Sequence, residues 1–440
     1  MKMKKNKIRV TSAVVSAIML ASSASAFAKF DAYNDSDGFT LGHYEAEVNQ
    51  EQRADTEKLY EQRPKNERQF ENLSRGLVAV PGENGTLVSW RFLGTDSNSL
   101  TYNLYCSGEK LNDKPITTTN FFHTGASTNA EYTFKEVENG EETGVEYTTT
   151  AWDKNYIGFK VTEREGYNID DGAVADLDGD GEYEILLRRV PSMDVNTRTS
   201  YPVIEAYKTD GTHMWTIDIG PNEINEVDIN FLAYDMDGDG KAEVIMRSFE
   251  GTTDGKGNTT GDTNGDGITD YSKSESNLAI FKDRQYIVST PEFLSIYDGE
   301  TAEETDRTDL KPSKEPLSDW SYRYSDTGRL TKRASHYLFG LAYLDGVTPS
   351  VVMVRGAWDI VREAAWHIED GKFKEDWVHN TENKDDVNSI WGACNHNLVT
   401  VDVDFDGKDE ILSGPMAIDH DGSEMYAVKV YDNDGNAQKL

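Results

Sequence analysis

The chain has 440 residues and carries 44 Lys and Arg against 79 Asp and Glu, a formal charge of −35 with a sequence pI near 4.5. That balance argues against a nucleic-acid partner, because binding a phosphate backbone requires clustered cations. With 37% hydrophobic residues and 10% aromatics the chain has apolar mass for two or three domains, which excludes wholesale disorder.

The first nine residues, Met1 to Arg9, are basic, and an apolar run from Val10 ends in the small residues Ala26-Phe27-Ala28. This pattern is that of a signal peptide, residues 1–28, cleaved near Ala28, which places the mature protein outside the cytoplasm, secreted or periplasmic. The apolar centre Ala13–Ala21 is shorter than the roughly 20 residues a bilayer span needs, and no later stretch is long enough, so no membrane span is expected. Two cysteines, Cys106 and Cys394, lie far apart in the chain and are read as free thiols.

Residues 29–71 form a polar arm, helical around Ala46 to Tyr60, in which no chemistry is legible. From residue 72 the texture changes. Gly76–Val80, Gly85–Phe92, Leu100–Tyr105, Glu131–Phe134 and Val145–Trp152 alternate apolar with polar residues between Gly, Asn and Asp turns, which predicts a small antiparallel sandwich over residues 72–165.

The most informative residues begin at Tyr167. An Asp-x-Asp-Gly-Asp-Gly loop runs Asp176, Asp178, Asp180, Glu184 and recurs as Asp235, Asp237, Asp239, Glu243. A third copy is Asp402, Asp404, Asp406, Glu410, and a variant is Asp262, Asn264, Asp266, Asp270. Oxygen ligands at positions 1, 3, 5 and 9 with a Gly at 6 suit Ca²⁺, a hard ion that takes six to eight oxygens at roughly 2.3 to 2.6 Å. Several calcium ions are therefore expected. Without a cation, three or four carboxylates within nine residues would repel one another. An EF-hand is excluded, since its position 12 must be Glu and the residues here are Leu187, Met246, Lys273 and Ser413.

The loops also mark a repeat. Their first residues are Asp176, Asp235 and Asp402, and a degenerate copy aligns Leu344 of Leu341-Ala-Tyr-Leu-Asp-Gly346 with the same position. Three loops run into apolar strands at Ile185, Val244 and Ile411. Each unit continues to an aromatic strand with an Asp-Gly turn, ending at Gly211, Gly299, Gly371 and, in the last unit, Val430-Tyr-Asp-Asn-Asp-Gly435. About four strands in each unit of roughly 50 to 60 residues is the pattern of a β-propeller blade, giving four blades over residues 166–440.

Arg75-Gly-Leu-Val-Ala-Val80, Val88–Asp96, Tyr102-Asn-Leu-Tyr105, Ala173–Ile185, Tyr234–Val244, Ala342–Gly346 and Asn395-His-Asn-Leu398 together resemble the rhamnogalacturonan lyases of polysaccharide lyase family 11, in order, over about residues 72–426. The resemblance implies an all-β protein, a fibronectin-like sandwich followed by a calcium-binding β-propeller of which this chain holds about four of eight blades. It also implies a lyase that cuts the pectin backbone, rhamnogalacturonan I, by calcium-assisted β-elimination. Three departures point to weak or absent activity. The chain stops after four units, Arg188-Arg-Val-Pro-Ser192 and Asp170-Asp171 differ from the family's habit, and Glu226–Phe231 lacks the usual His. An open propeller edge would favour self-association.

β-Elimination beside a uronate needs a cation for the carboxylate, a base for the C5 proton and a donor for the leaving oxygen. His396, before the strand Leu398–Val401, is the candidate catalytic residue. Asp171, Arg188, Arg189 and Asn395 are candidate substrate contacts, with ion pairs from the two arginines to the acidic loops as the competing role. Zinc spacing, a nucleophile elbow and a phosphate loop are absent from the sequence. The alternative function is a non-catalytic secreted protein, a polysaccharide-binding module or scaffold stapled by calcium.

Overall fold

Strand chemistry dominates from residue 78 onward, and the chain folds into a series of antiparallel sheets. The computed structural model describes residues 58–64, 67–125, 129–191, 200–223, 229–282, 284–320, 325–356, 360–380, 396–427, 430–431 and 437–438. The leader 1–28, Asn395 and Cys394 lie outside the described residues, and so does most of the helix expected over residues 46–60, of which residues 58–62 are helical. No helix among the described residues is long and apolar enough to cross a membrane.

The amino-terminal sheets form a sandwich. Val78–Gly82, Gly85–Ser89 and Asn120–Thr124 make one sheet, and Glu109–Lys110, Thr101–Cys106, Glu131–Glu138 and Glu141–Thr150 make the other. Five of these strands follow from the alternation of the sequence. Asn120–Thr124 and Glu109–Lys110 do not, because each is short and largely exposed. Between the sheets Trp90 stacks on Phe134 with ring centroids 5.2 Å apart, and Tyr102 meets Phe134 edge-on. Arg75 is buried beside this core and held by Asp96 Oδ1 at 2.7 Å and Glu136 Oε1 at 2.6 Å.

Four four-stranded sheets follow, each an antiparallel meander. The first joins Tyr167–Ala175, Glu184–Pro191, Val203–Tyr207 and His213–Asp218. The second joins Phe231–Tyr234, Glu243–Phe249, Glu292–Tyr297 and Glu304–Asp309, with a hairpin of Leu278–Phe281 and Arg284–Ile287 inserted in it. The third joins Tyr337–Ala342, Ser350–Arg355, Arg362–Glu369 and Lys372–Asn380, and the fourth joins Val399–Val401, Glu410–Ser413, Met416–Ile418 and Glu424–Ala427.

The sheets pack face to face in chain order. Leu186, Ile204 and Trp215 of the first meet Val244, Met246 and Tyr297 of the second. Ile245, Leu294 and Ile296 of the second meet Val351, Met353 and Trp366 of the third, and Val352, Val354 and Ala365 of the third meet Ile411, Met416 and Ile418 of the fourth. Central strands such as Ser350–Arg355 are consequently buried at every residue, and outer strands such as Glu304–Asp309 alternate between half-buried and exposed. A strand covered on both faces reads as a continuous apolar run, and one with a wet face alternates.

The last unit corrects the expected register. Its turn is Asp419 to Gly422 between Met416–Ile418 and Glu424–Ala427, whereas Val430–Tyr431 pairs with Ala437–Gln438 in a separate hairpin. The connection after Ser413 is only Gly414-Pro415, so the third strand arrives far earlier than in the other units.

The end of the polar arm, in which the sequence showed no chemistry, is held against the sheets. It lies across the loops of the four sheets in reverse order. Tyr60 meets Phe405 edge-on at 5.9 Å, Arg68 forks onto Asp409 at 2.8 and 3.1 Å, and Tyr343 donates to the Gln69 carbonyl at 2.6 Å. Gln69 Nε2 donates to the Asp235 carbonyl, and Ser74 N donates to the Gly181 carbonyl at 2.8 Å. Burial and the neighbouring Asp235 and Asp176 push the Glu71 carboxyl up to about 7.

Candidate active site and metal loops

Each of the three complete acidic loops connects the first strand of a sheet to the second, and its conformation is fixed by its own carboxylates. In the first, Asp176 Oδ1 accepts from Gly179 N at 2.9 Å and Oδ2 from Gly181 N at 2.8 Å, and Glu184 Oε2 reaches back to accept from Leu177 N at 2.9 Å. The second repeats this: Asp235 accepts from Gly238 N and Gly240 N, and Glu243 accepts from Met236 N at 2.9 Å. In the third, Asp402 accepts from Gly407 N at 3.1 Å and Glu410 from Val403 N at 2.7 Å. The sixth residue has φ of 86°, 92° and 94° in the three loops, the left-handed region that favours glycine.

The remaining oxygens converge. Carboxylate oxygens of Asp176, Asp178 and Asp180 lie within 4.8 Å of one another, as do those of Asp235, Asp237 and Asp239 and those of Asp402, Asp404 and Glu410. Asp178 Oδ1, Asp402 Oδ1 and Glu410 Oε1 are buried with no hydrogen-bond partner among the described residues. A hard cation satisfies such oxygens, and the donor set fits Ca²⁺. The degenerate copy differs: Asp345 spends its carboxylate on Val347 N at 2.7 Å and Thr348 N at 2.6 Å. In calcium, Asp404→Ala will therefore lower the melting temperature more than Asp345→Ala, and equal losses would contradict the alignment of the repeats.

The fourth loop departs from expectation at its ninth position. Asp270 accepts from Ser272 Oγ at 2.5 Å and pairs with Lys273 at 3.0 Å, so it caps a short helical turn.

The other candidate residues separate into distinct environments. Arg188 is buried, bonds Asp170 and the Ile229 carbonyl, and lies 3.6 Å from exposed Asp171. Arg189, the next residue, points to the other face, where Glu205 Oε2 is 2.9 Å away and Tyr207 also donates to Glu205. Neither pairs with an acidic loop. Alternation along the strand sends neighbouring side chains to opposite faces and so to different carboxylates.

His396 has a partner that the sequence did not single out. Its ring centroid is 4.9 Å from that of His336, which caps the end of the helix Thr327–Ser335. Burial lowers the His396 pKa, and His336, Arg333 and Lys332 lower it further. Beneath this helix end lies a buried ionic network. Arg355 Nε donates to the Ala334 carbonyl at 2.6 Å and Arg247 Nη1 to the Ser335 carbonyl at 3.4 Å, and both pair with Glu292, which Lys314 approaches at 3.4 Å. The three cations hold the Glu292 carboxyl down at about 2 despite complete burial.

Leu398 packs against Gly340, where an added Cβ would lie 2.1 Å from Leu398 Cδ2, and Asn397 Oδ1 accepts from Gly414 N at 2.9 Å. These contacts place His396 at the start of the first strand of the fourth sheet. His336 precedes the first strand of the third sheet, and Asn230, which donates to the Tyr337 carbonyl at 2.8 Å, precedes that of the second. The acidic loops follow the same strands. A strand such as Tyr337–Ala342 spans about 20 Å at 3.3 Å per residue, so the histidines and the loop carboxylates occupy opposite ends of the sheets.

A family model described as the C-terminal domain of rhamnogalacturonan lyase family 11 matches residues 158–440, and a model of the β-sheet domain of rhamnogalacturonan I lyases matches residues 68–152. The rhamnogalacturonan endolyase YesW of Bacillus subtilis is 38% identical over 375 residues, which are 82% of this chain and 57% of that protein. The rhamnogalacturonan exolyase YesX of the same organism is 37% identical over 377 residues, 82% of this chain and 58% of that protein. The crystal structure of YesX superposes with a TM-score of 0.71 at 36% identity, covering 82% of this chain and 59% of that one. The Bacillus licheniformis rhamnogalacturonan lyase superposes with a TM-score of 0.69 at 37% identity, covering 82% and 61%. The chain thus spans less than two thirds of the length of the curated relatives it matches. The all-β sheets, the acidic loops and these matches agree, and the chain belongs to rhamnogalacturonan lyase family 11.

Proposed function

We propose that this protein binds the rhamnogalacturonan I backbone at the His336–His396 end of its sheets and cleaves it by β-elimination. The observation that carries the reading is a basic centre in a chain of charge −35: two histidines meeting edge-on beside Lys332 and Arg333, seated on a buried cluster of Arg247, Arg355 and Lys314 around Glu292. A galacturonate carboxylate is drawn to the cations, which lower the cost of the negative charge that develops when the C5 proton leaves. His396, held neutral by burial and by its cationic neighbours, is the base. The C5–H pair becomes the C4–C5 double bond, the C4–O bond breaks, and the leaving oxygen takes a proton.

The three complete loops, about a strand's length away, serve as staples at the opposite end. Calcium bound there holds first and second strands in register and anchors the arm, outside the reaction. The four sheets are read as consecutive propeller blades, because their first strands lie next to one another in chain order and their faces pack pairwise. The leader 1–28 assigns the protein to the outside of the cytoplasm, where calcium and pectin are met.

The test is to incubate the purified protein with rhamnogalacturonan I and follow the ultraviolet absorbance of the unsaturated uronate product. A steady rise is expected. Binding of the polysaccharide with no rise would support the non-catalytic reading and overturn this one.

A further inference from the structure

We propose that the inserted hairpin and the helix Thr327–Ser335 form a cationic lip, in which Lys282 and Arg329 bind a second galacturonate carboxylate of the same polysaccharide chain. Both elements interrupt the repeat. The hairpin, Leu278–Phe281 with Arg284–Ile287, leaves between the second and third strands of the second sheet, and the helix connects that sheet to the third. Strand Glu243–Phe249 runs away from its acidic loop, so the hairpin departs at the histidine end, where the helix also finishes in His336. The two are joined at close quarters. A Cβ added to Gly328 would lie 2.0 Å from the Ile280 carbonyl oxygen, so glycine is what lets the helix backbone approach the hairpin. Asp326 caps the helix by accepting from Arg329 N at 2.9 Å, and Leu330 and Ala334 pack with Trp320, which leaves Arg329, Lys332 and Arg333 only half-buried.

The Phe281 ring gathers charge from both elements. Arg329 Cζ lies 5.2 Å, Lys282 Nζ 5.6 Å and Lys332 Nζ 5.7 Å from its centroid. Lys282 is exposed at the tip of the hairpin, where its φ is 58°. Like charges held around one ring repel one another, and a bound carboxylate offsets that repulsion. Asp326, 3.6 Å from Arg329 Nε, is 56% exposed, so theirs is a surface pair of small worth that a sugar carboxylate can displace. The lip also points at the proposed reaction centre. Arg329, Lys332 and His336 follow at spacings of three and four along one helix face, and residues 329 to 336 span about 10 Å of axis. Lys332 belongs to both groups, since it stands by Phe281 and also lowers the His396 pKa. In a backbone that alternates rhamnose with galacturonate, the next carboxylate lies one disaccharide away. A chain with one uronate at the histidines carries the next out along this row toward Arg329 and Lys282.

The inference rests on substrate binding at the His336–His396 end, and equilibrium binding tells the two readings apart without turnover. Full-length protein carrying His396→Ala is titrated by calorimetry with rhamnogalacturonan I and with a rhamnose–galacturonate disaccharide, at low and at high salt. Adding Lys282→Asn, a residue that tolerates the positive φ, and Arg329→Gln together is expected to weaken polymer binding about tenfold at low salt and less at high salt. Disaccharide binding is expected to stay unchanged, because one uronate is held at the histidines alone. With His396 intact, the same pair of substitutions is expected to raise KM for the polymer and leave kcat within about twofold, the mark of uniform binding. Should Arg329→Gln unfold the helix, as a melting curve will show, Lys282→Asn alone at the hairpin tip is expected to weaken polymer binding about threefold at low salt. Polymer binding equal to that of the parent in a folded variant, or an equal loss for the disaccharide, overturns the lip. A parent protein that binds no rhamnogalacturonan I overturns the reading of the histidine end and the lip with it.

Discussion

Chelation with EGTA will lower the melting temperature, and the loss will deepen as pH rises from about 6 to about 9. Each calcium bound to the native state alone stabilises it by about 2.7 kcal/mol at a hundredfold excess over Kd, so three occupied loops lose about 8 kcal/mol on chelation, on the order of 10 °C or more. The pH trend follows from the ninth-position carboxyls. Burial first, and then the neighbouring aspartates, push Glu184 up to about 7 and Glu243 and Glu410 to about 8 in the metal-free fold. A group whose pKa is raised by folding favours the native state while it is protonated. That contribution is complete below about 4.5 and is lost as pH climbs through 7 to 8, where all three become charged. Calcium supplies the countercharge and flattens the trend. A melting temperature indifferent to EGTA across this range would contradict the metal assignment.

Replacing His396 by Ala will reduce the rate of unsaturated product formation by about 10² to 10⁴, the usual contribution of a positioned base. The fold should survive, because the strand that carries His396 is anchored by Leu398 against Gly340 and by Asn397 on Gly414 N, neither of which the substitution touches. A melting curve within a few degrees of the parent, together with the loss of rate, separates a chemical from a structural role. A variant with full rate would remove His396 from the reaction and leave His336 as the imidazole of this centre.

The acidic loops were legible in the sequence because their geometry is local: ligands two residues apart and a glycine at the turn are set by the chain itself. Most of the strands were legible for the same reason. The hydrogen bond from Thr263 N to Glu250 was not, since Glu250 lies upstream of the Asp262 loop and Asn222 ties the two segments together. His336, Lys332 and Arg333 belong to an insertion without the repeat's pattern and meet His396 across two sheets. The arm looked featureless because Arg68 finds Asp409, and Ser74 finds Gly181, far away in sequence. The competing role of the arginine pair fails for a different reason. Charge alone pointed Arg188 and Arg189 at the acidic loops, but strand alternation delivers them to Asp170 and Glu205.

The two ends of the sheets present opposite chemistry, one basic with paired histidines and one lined with carboxylates. A crystal structure of the His396→Ala variant with a rhamnogalacturonan oligosaccharide would locate the substrate directly. The expected result is a galacturonate carboxylate beside His336, Lys332 and Arg333, with calcium confined to the loops at the far end of the strands. A sugar seated on the Asp176, Asp235 or Asp402 loop, with its carboxylate on a loop-bound calcium, would contradict the division between a catalytic end and a metal-stapled end.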